Sequence, residues 1–209
     1  MGKKKVRQKT KTIRYIYEGK LTEKMFFHHL HQYFPNTTAQ PLNIFCGKGG
    51  TADSQVSNTL KSMYFNKICL ILDEDFQTKG PIGKSNLRKL EKFWKLKENE
   101  LDSVRYRDFV EYGCKNKPLI IFSNPSSIEG IILQILGKSK EKLEGKTTDQ
   151  LKSELSSYIS QYFKDENISI PENNEEKLQI FFNAKLSLEI LKTREKDIKE
   201  LKYILEIFE

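Results

Sequence analysis

The chain has little of what builds cross-linked or metal-clustered scaffolds: three cysteines, one tryptophan and six prolines in 209 residues. Cys46, Cys69 and Cys114 are odd in number and far apart, and no Cys-x-x-Cys pair exists. Neither a zinc ribbon nor a disulfide framework is supported, and a reducing compartment suits the set. Cys69, inside an apolar run, reads as a small core residue. Long hydrophobic stretches are missing too. The longest, Ile128 to Leu136, is interrupted by Glu129, Gly130 and Gln134, far short of a bilayer span. No apolar stretch of signal-peptide length follows the charged N-terminus. The expectation is a cytoplasmic protein with no membrane partner. Gly47-Lys48-Gly49-Gly50-Thr51 lacks the Gly-x-x-x-x-Gly-Lys-Ser/Thr order, which removes a P-loop ATPase.

Charge and aromatic residues are abundant. Thirty-six Lys and Arg face 28 Asp and Glu, for a formal charge of +8 and a pI near 9.2. A basic balance favours an anionic partner, nucleic acid first, because neutralised phosphates release counterions. The hydrophobic fraction is only 37%, yet 13 Phe and 9 Tyr supply large core side chains, so global disorder is not expected.

Residues 1–11 are polar and lysine-rich and read as a flexible basic arm. Thr12 to Tyr17 alternates β-branched and aromatic residues as a strand does. Glu18 to Leu21 is a turn, Thr22 is the expected N-cap, and Glu23 to Tyr33 carries helical spacing. A second strand is expected at Pro41 to Cys46 and a helix at Asp53 to Tyr64. Lys67 to Leu72 is a continuous apolar strand ending at Asp73, the pattern of a strand buried on both faces of a parallel sheet. A helix around Ser85 to Asn99, an edge strand near Arg105 to Val110, a strand at Pro118 to Phe122 and a helix from Ile128 follow. This alternation predicts an α/β domain over 12–137 with right-handed crossovers and a mainly parallel sheet flanked by helices. Residues 138–209 change character to Lys, Glu, Leu and Ser and predict a helical C-terminal subdomain. There Asp149 to Phe163 is one helix and Glu175 to Ile207 one or two.

Open α/β sheets bind ligands outside the carboxyl ends of their strands. Glu18, Asp73, Asp75 and Asn124 all follow expected strands. Carboxylates gathered on one rim repel unless a cation lies between them, and Mg²⁺, with Mn²⁺ as the alternative, takes such oxygen ligands while leaving positions for phosphate. Singly these signals are weak, since Asp-x-Asp and strand-end acids are common turn features. Their order is the informative part.

Tyr17-Glu18-Gly19-x-x-Thr22-Glu23-Lys24, followed by Leu72-Asp73-Glu74-Asp75, resembles the Toprim domain of topoisomerases, primases and overcoming-lysogenization-defect nucleases. Phe122-Ser123-Asn124-Pro125-Ser126-Ser127-Ile128-Glu129 narrows the resemblance to RloB-like proteins. It covers about residues 12–137 and implies a Rossmann-like fold and a nuclease associated with phage defence. It also implies Glu18 as a metal-binding or proton-moving acid, with Asp73 and Asp75 as metal ligands. Glu74 departs from the pattern, where a basic or neutral residue is usual, and Ser127, Ile128 and Gly130 stand where aromatics commonly follow Asn-Pro. The C-terminal region carries no resemblance.

Further candidates have plainer readings beside the functional ones. Glu23 is either a partner of the metal site or a carboxylate suited to a helix N-terminus. Glu74 is an added ligand or a solvent-facing residue. Glu129, among isoleucines, belongs to the rim or merely starts its helix, and Asn124 shapes a turn or steadies a carboxylate. His28, His29 and His31 lack the i, i+4 spacing of zinc ligands and read as ordinary helix residues. Lys48 could contact a nucleic-acid backbone. Lys84, Arg88, Lys92 and Lys95, with Phe93 and Trp94 between them, form either a phosphate-tracking face or a helix anchored by its aromatics. The expected function is metal-dependent phosphodiester cleavage of RNA or DNA. The alternative is a non-cleaving nucleic-acid-binding or sensor subunit of a defence complex. A partner ATPase, a homo-oligomer or a larger complex accompany either reading.

Overall fold

The computed structural model describes residues 13–17, 19–43, 67–73, 106–108, 119–123 and 127–209. Five strands form one sheet: β1 (Ile13–Tyr17), β2 (Ala39–Asn43), β3 (Lys67–Asp73), β4 (Tyr106–Asp108) and β5 (Leu119–Ser123). Their order is β2-β1-β3-β5-β4. The first four run parallel, and β4 pairs antiparallel with β5 at the edge. The protein is thus mixed α/β, with more helix than strand, and the expected edge strand is present. The expected helices at 53–64 and 85–99, the basic arm, Cys46 and Cys114 lie outside the described residues.

Tyr15, Ile16 and Tyr17 are all buried. Successive residues of a strand point to opposite faces, so β1 is covered on both. Cys69 and Ile71 pair in register with Tyr15 and Tyr17 and are buried beside them. The cover on this face comes partly from α1 (Thr22–Tyr33). Its Phe27 ring lies 5.2 Å from Tyr15 and 4.9 Å from Tyr17. Thr22 is the first residue of this helix, not its cap. Leu21 takes the N-cap position and offers no side-chain hydrogen bond.

Beyond the sheet come α2 (Ile128–Ile135), α3 (Lys140–Leu143), α4 (Thr148–Asp165), α5 (Asn174–Lys185), α6 (Leu188–Arg194) and α7 (Lys199–Phe208). Gly137, at φ +95°, ends α2. The amide of Lys138 donates to Leu133 and that of Gly137 to Gln134, a turn that glycine makes without steric cost. Thr147 and Gln150 form a reciprocal capping box at the start of α4. The segment 175–207 breaks into three helices, not the one or two that periodicity suggests. Ser187 caps α6 by accepting from the Ile190 amide.

These helices share the core of the sheet. Phe208, near the end of α7, stacks on Phe27 at 6.4 Å and reaches Tyr15 at 5.3 Å. Phe182 of α5 meets Phe26 edge-on at 6.2 Å. The His29 Nε2–H donates to the Leu186 carbonyl at 2.8 Å, tying α1 to the α5–α6 junction. Burial holds this imidazole below its ordinary value, and burial does the same to His31, whose Nε2 hydrogen-bonds the Tyr15 hydroxyl at 2.9 Å. These two histidines pack the fold.

Two outcomes follow from this packing. Phe208→Ala should cost about 3–5 kcal/mol in urea unfolding, whereas a change below about 1 kcal/mol would mean that α7 is not integral to the core. A folded-state imidazole held below its unfolded value favours folding above about pH 6.5, and that contribution is lost as pH falls through the folded value. His29→Gln should therefore flatten part of the loss of stability between about pH 7.5 and about pH 5.5, with an unchanged slope as the contrary result.

Candidate metal and phosphate site at the carboxyl edge of the sheet

The strand order reverses beside β1: β2 lies on one side of it, β3 and β5 on the other. Open α/β sheets bind ligands in the crevice at such a reversal, outside the strand carboxyl ends. The register aligns those ends. Tyr17 is level with Ile71, and Asp73 is level with Ser123. Asp73 is therefore the last residue of a strand lying between β1 and β5, two positions beyond the level of Tyr17, and it is half-buried. Glu18 directly follows Tyr17 in the chain. Glu18, Glu74, Asp75 and Asn124 lie outside the described residues, as do Lys48, Lys84, Arg88, Lys92, Lys95, Phe93 and Trp94. Among the described residues, no three of His, Cys, Asp and Glu converge as a metal cluster.

The turn after β1 has a defined build. Glu23, 5% exposed, folds its carboxylate back over Gly19, and a Cβ at Gly19 would fall on the carboxylate atoms. The glycine is needed for this close approach. From the other side, the Asn43 side-chain amide of β2 donates to the Gly19 carbonyl at 2.6 Å. The Gly-x-x-x-Glu part of the Glu-Gly-x-x-x-Glu spacing is thus one packed unit, in which Glu23 sits on Gly19. This gives Glu23 a use beyond its favourable place at a helix N-terminus.

The clearest chemical signal lies at the start of α2, four residues beyond the end of β5. Glu129 is 1% exposed and Ser127 fully buried. Neither Glu129 oxygen has a hydrogen-bond partner, and neither has the Ser127 hydroxyl. Ser127 occupies the N-cap position of α2 without capping it. A helix N-terminus offsets part of a carboxylate's charge, but burying an unpaired carboxylate still costs several kcal/mol. Ile128, Ile131 and Ile132 around it are fully buried and offer nothing polar. The carboxylate oxygens and the hydroxyl are each hard donors of the kind that Mg²⁺ or Mn²⁺ takes, so their chemistry fits a divalent cation. Glu129 is thus a helix-start residue that is also buried without a hydrogen-bond partner, and so is Ser127, which the sequence did not single out.

The chain was compared with family models, with curated proteins and with solved structures, and it matches none of them. The site therefore rests on its own geometry. Among the described residues no helix is long and apolar enough to cross a membrane.

Because Glu23 occupies the space of a side chain at position 19, Gly19→Ala should destabilise the protein by about 1–3 kcal/mol. In a Glu23→Ala background the same change should cost at least about 0.5 kcal/mol less. Equal costs in both backgrounds, read by chemical denaturation, would contradict the packing of Glu23 on Gly19.

Proposed function

We propose that the chain is a metal-dependent nuclease with a Toprim-like, Rossmann-type arrangement, acting in phage defence. The observation that carries this reading is the buried, unpartnered Glu129 carboxylate with the Ser127 hydroxyl, beyond the strand that pairs with the one ending in Asp73. A protein gains nothing in stability from such a group, so the arrangement argues for a ligand.

In this reading Glu18, Asp73 and Asp75 hold the cation, and Glu129 and Ser127 add donors from the neighbouring strand's end. Divalent metal bound there supplies positive charge to the scissile phosphate and to its attacking and leaving oxygens. The chain's own residues do the rest. Asp73, paired with Ser123 of β5 at the end of β3, presents its carboxylate from a strand, which positions ligands better than a loop does. Glu18 holds metal or takes the proton of the attacking water. Glu23 and Asn43 brace the Gly19 turn, and so set where the chain leaves β1. Lys48, Lys84, Arg88, Lys92 and Lys95 supply counter-charge for the nucleic-acid backbone.

Mixed tRNA, single-stranded and duplex substrates incubated with Mg²⁺ or Mn²⁺ test the proposal. Wild type should cleave one class, and chelator should abolish the cleavage. Asp73→Ala and Glu129→Gln should each reduce the rate by about 100-fold or more, since even residues that only support metal ligands cost about 10–100-fold. Binding without cleavage, unchanged in Asp73→Ala, would replace this reading with a nucleic-acid sensor.

A further inference from the structure

The cation balance of the molecule is uneven. Residues 138–209 carry 13 Lys and Arg against 15 Asp and Glu, so the excess positive charge belongs to residues 1–137. Several lysines of the helical segment are matched by carboxylates. Lys138 and Lys146 share Glu154, Lys185 lies 4.0 Å from Glu166, and Lys192 meets Glu195 and Glu209. A groove of about 610 Å³ between the end of α2, α4 and α5 is lined by such matched lysines. Lys138 and Lys185 there also lie over the rings of Tyr158 and Tyr162. With Glu154, Asp165 and Glu166 around it, that groove has no positive charge to spare for an anion.

A second cavity differs. It is an open cleft of about 200 Å³ where the N-terminus of α1 meets α2, α4 and α5, with Glu129 and the exposed or half-buried Lys152, Ser156 and Lys177 over a floor that includes Leu155, Ile159 and Leu178. Among the described residues, Lys152 and Lys177 take no part in an ion pair within 4.0 Å. Two ammonium groups and a serine hydroxyl suit a phosphate. The buried, unpartnered Glu129 on the same wall suits a divalent cation and would repel a phosphate arriving alone. A phosphate accompanied by the cation of the carboxyl-edge site satisfies both.

We infer that this cavity holds a backbone phosphate of the bound nucleic-acid strand, next to the metal site, with Lys152 and Lys177 neutralising it and Ser156 donating to it. The strand's identity rests on the nuclease reading, but its binding is measurable without cleavage. The helical segment then contributes substrate contacts, in addition to covering the sheet. Phosphate contacts carry no base information, so the two lysines set affinity and the position of the strand rather than sequence choice.

The test is fluorescence anisotropy of labelled single-stranded RNA and DNA oligonucleotides on the full-length chain, with Ca²⁺ replacing Mg²⁺ and across a salt series. Lys152→Gln/Lys177→Gln should weaken binding by about tenfold at low salt, equally for unrelated sequences. The log–log salt slope should become shallower by about 1.4, for two lost contacts at about 0.7 each. Lys142→Gln/Lys164→Gln, on exposed lysines outside the cavity, should change neither. Unchanged affinity and slope in the cavity variant, or no strand binding by wild type, overturns the inference. Lysine-dependent binding of inorganic phosphate alone, measured by calorimetry, would assign the cavity to a free anion and overturn the strand assignment. Lysine-dependent strand binding by a wild type that never cleaves with Mg²⁺ or Mn²⁺ leaves the cavity standing and removes only the nuclease reading.

Discussion

The contact on which the rest of the structure depends is the aromatic cluster of Tyr15, Phe27 and Phe208. It joins three elements from opposite ends of the chain: a central strand, the first helix and the last. A parallel sheet buried on both faces has no stability without its cover, and here part of the cover arrives only when α7 folds back. The same closure brings α5 against α1 through Phe26 and Phe182, and His29 fixes the junction after α5. With α1 held from two sides, the Gly19 turn at its start has little freedom. The carboxyl edge of the sheet is thus positioned by packing that lies behind it.

In the core His29 donates from Nε2 to the Leu186 carbonyl, although its Nδ1 has no hydrogen-bond partner. At the edge Glu129 and Ser127 are buried with none of their side-chain oxygens hydrogen-bonded. Such a pair weakens the fold unless something binds, and the apolar neighbours that make it costly also strengthen any cation it holds. The cavity next to it adds two lysines to that carboxylate. Opposite charges left apart on one wall fit a ligand that carries both signs, as a metal-bound phosphate does.

Much of this was legible in the residues. Alternation in Thr12 to Tyr17 and the apolar run ending at Asp73 gave the parallel strands, because period and burial leave direct marks. The rim position of Asp73 followed from strand order alone. The Gly-x-x-x-Glu part of the motif carried a physical meaning that only the structure supplies, namely a carboxylate resting on a glycine four positions earlier. Glu129 allowed two readings, since burial depends on what packs over a helix start and no local pattern encodes it. Lys152 and Lys177 were invisible for a different reason. In a segment rich in Lys and Glu every lysine looks solvated, and only the fold tells which ones lack a carboxylate. The breaks between α5, α6 and α7 were missed because neither Pro nor Gly marks them. Serine capping and tertiary packing end these helices instead.

The central claim is that Glu129 is a buried charge kept for a cation. Thermal unfolding of wild type and Glu129→Gln, with chelator and with Mg²⁺ or Mn²⁺, tests it most directly. The account predicts that metal raises the wild-type Tm in proportion to its binding. In chelator, Glu129→Gln should unfold at a higher temperature than wild type because an unpaired buried charge is gone, and it should respond little to metal. A wild type indifferent to metal, together with a variant less stable than wild type in chelator, would contradict it.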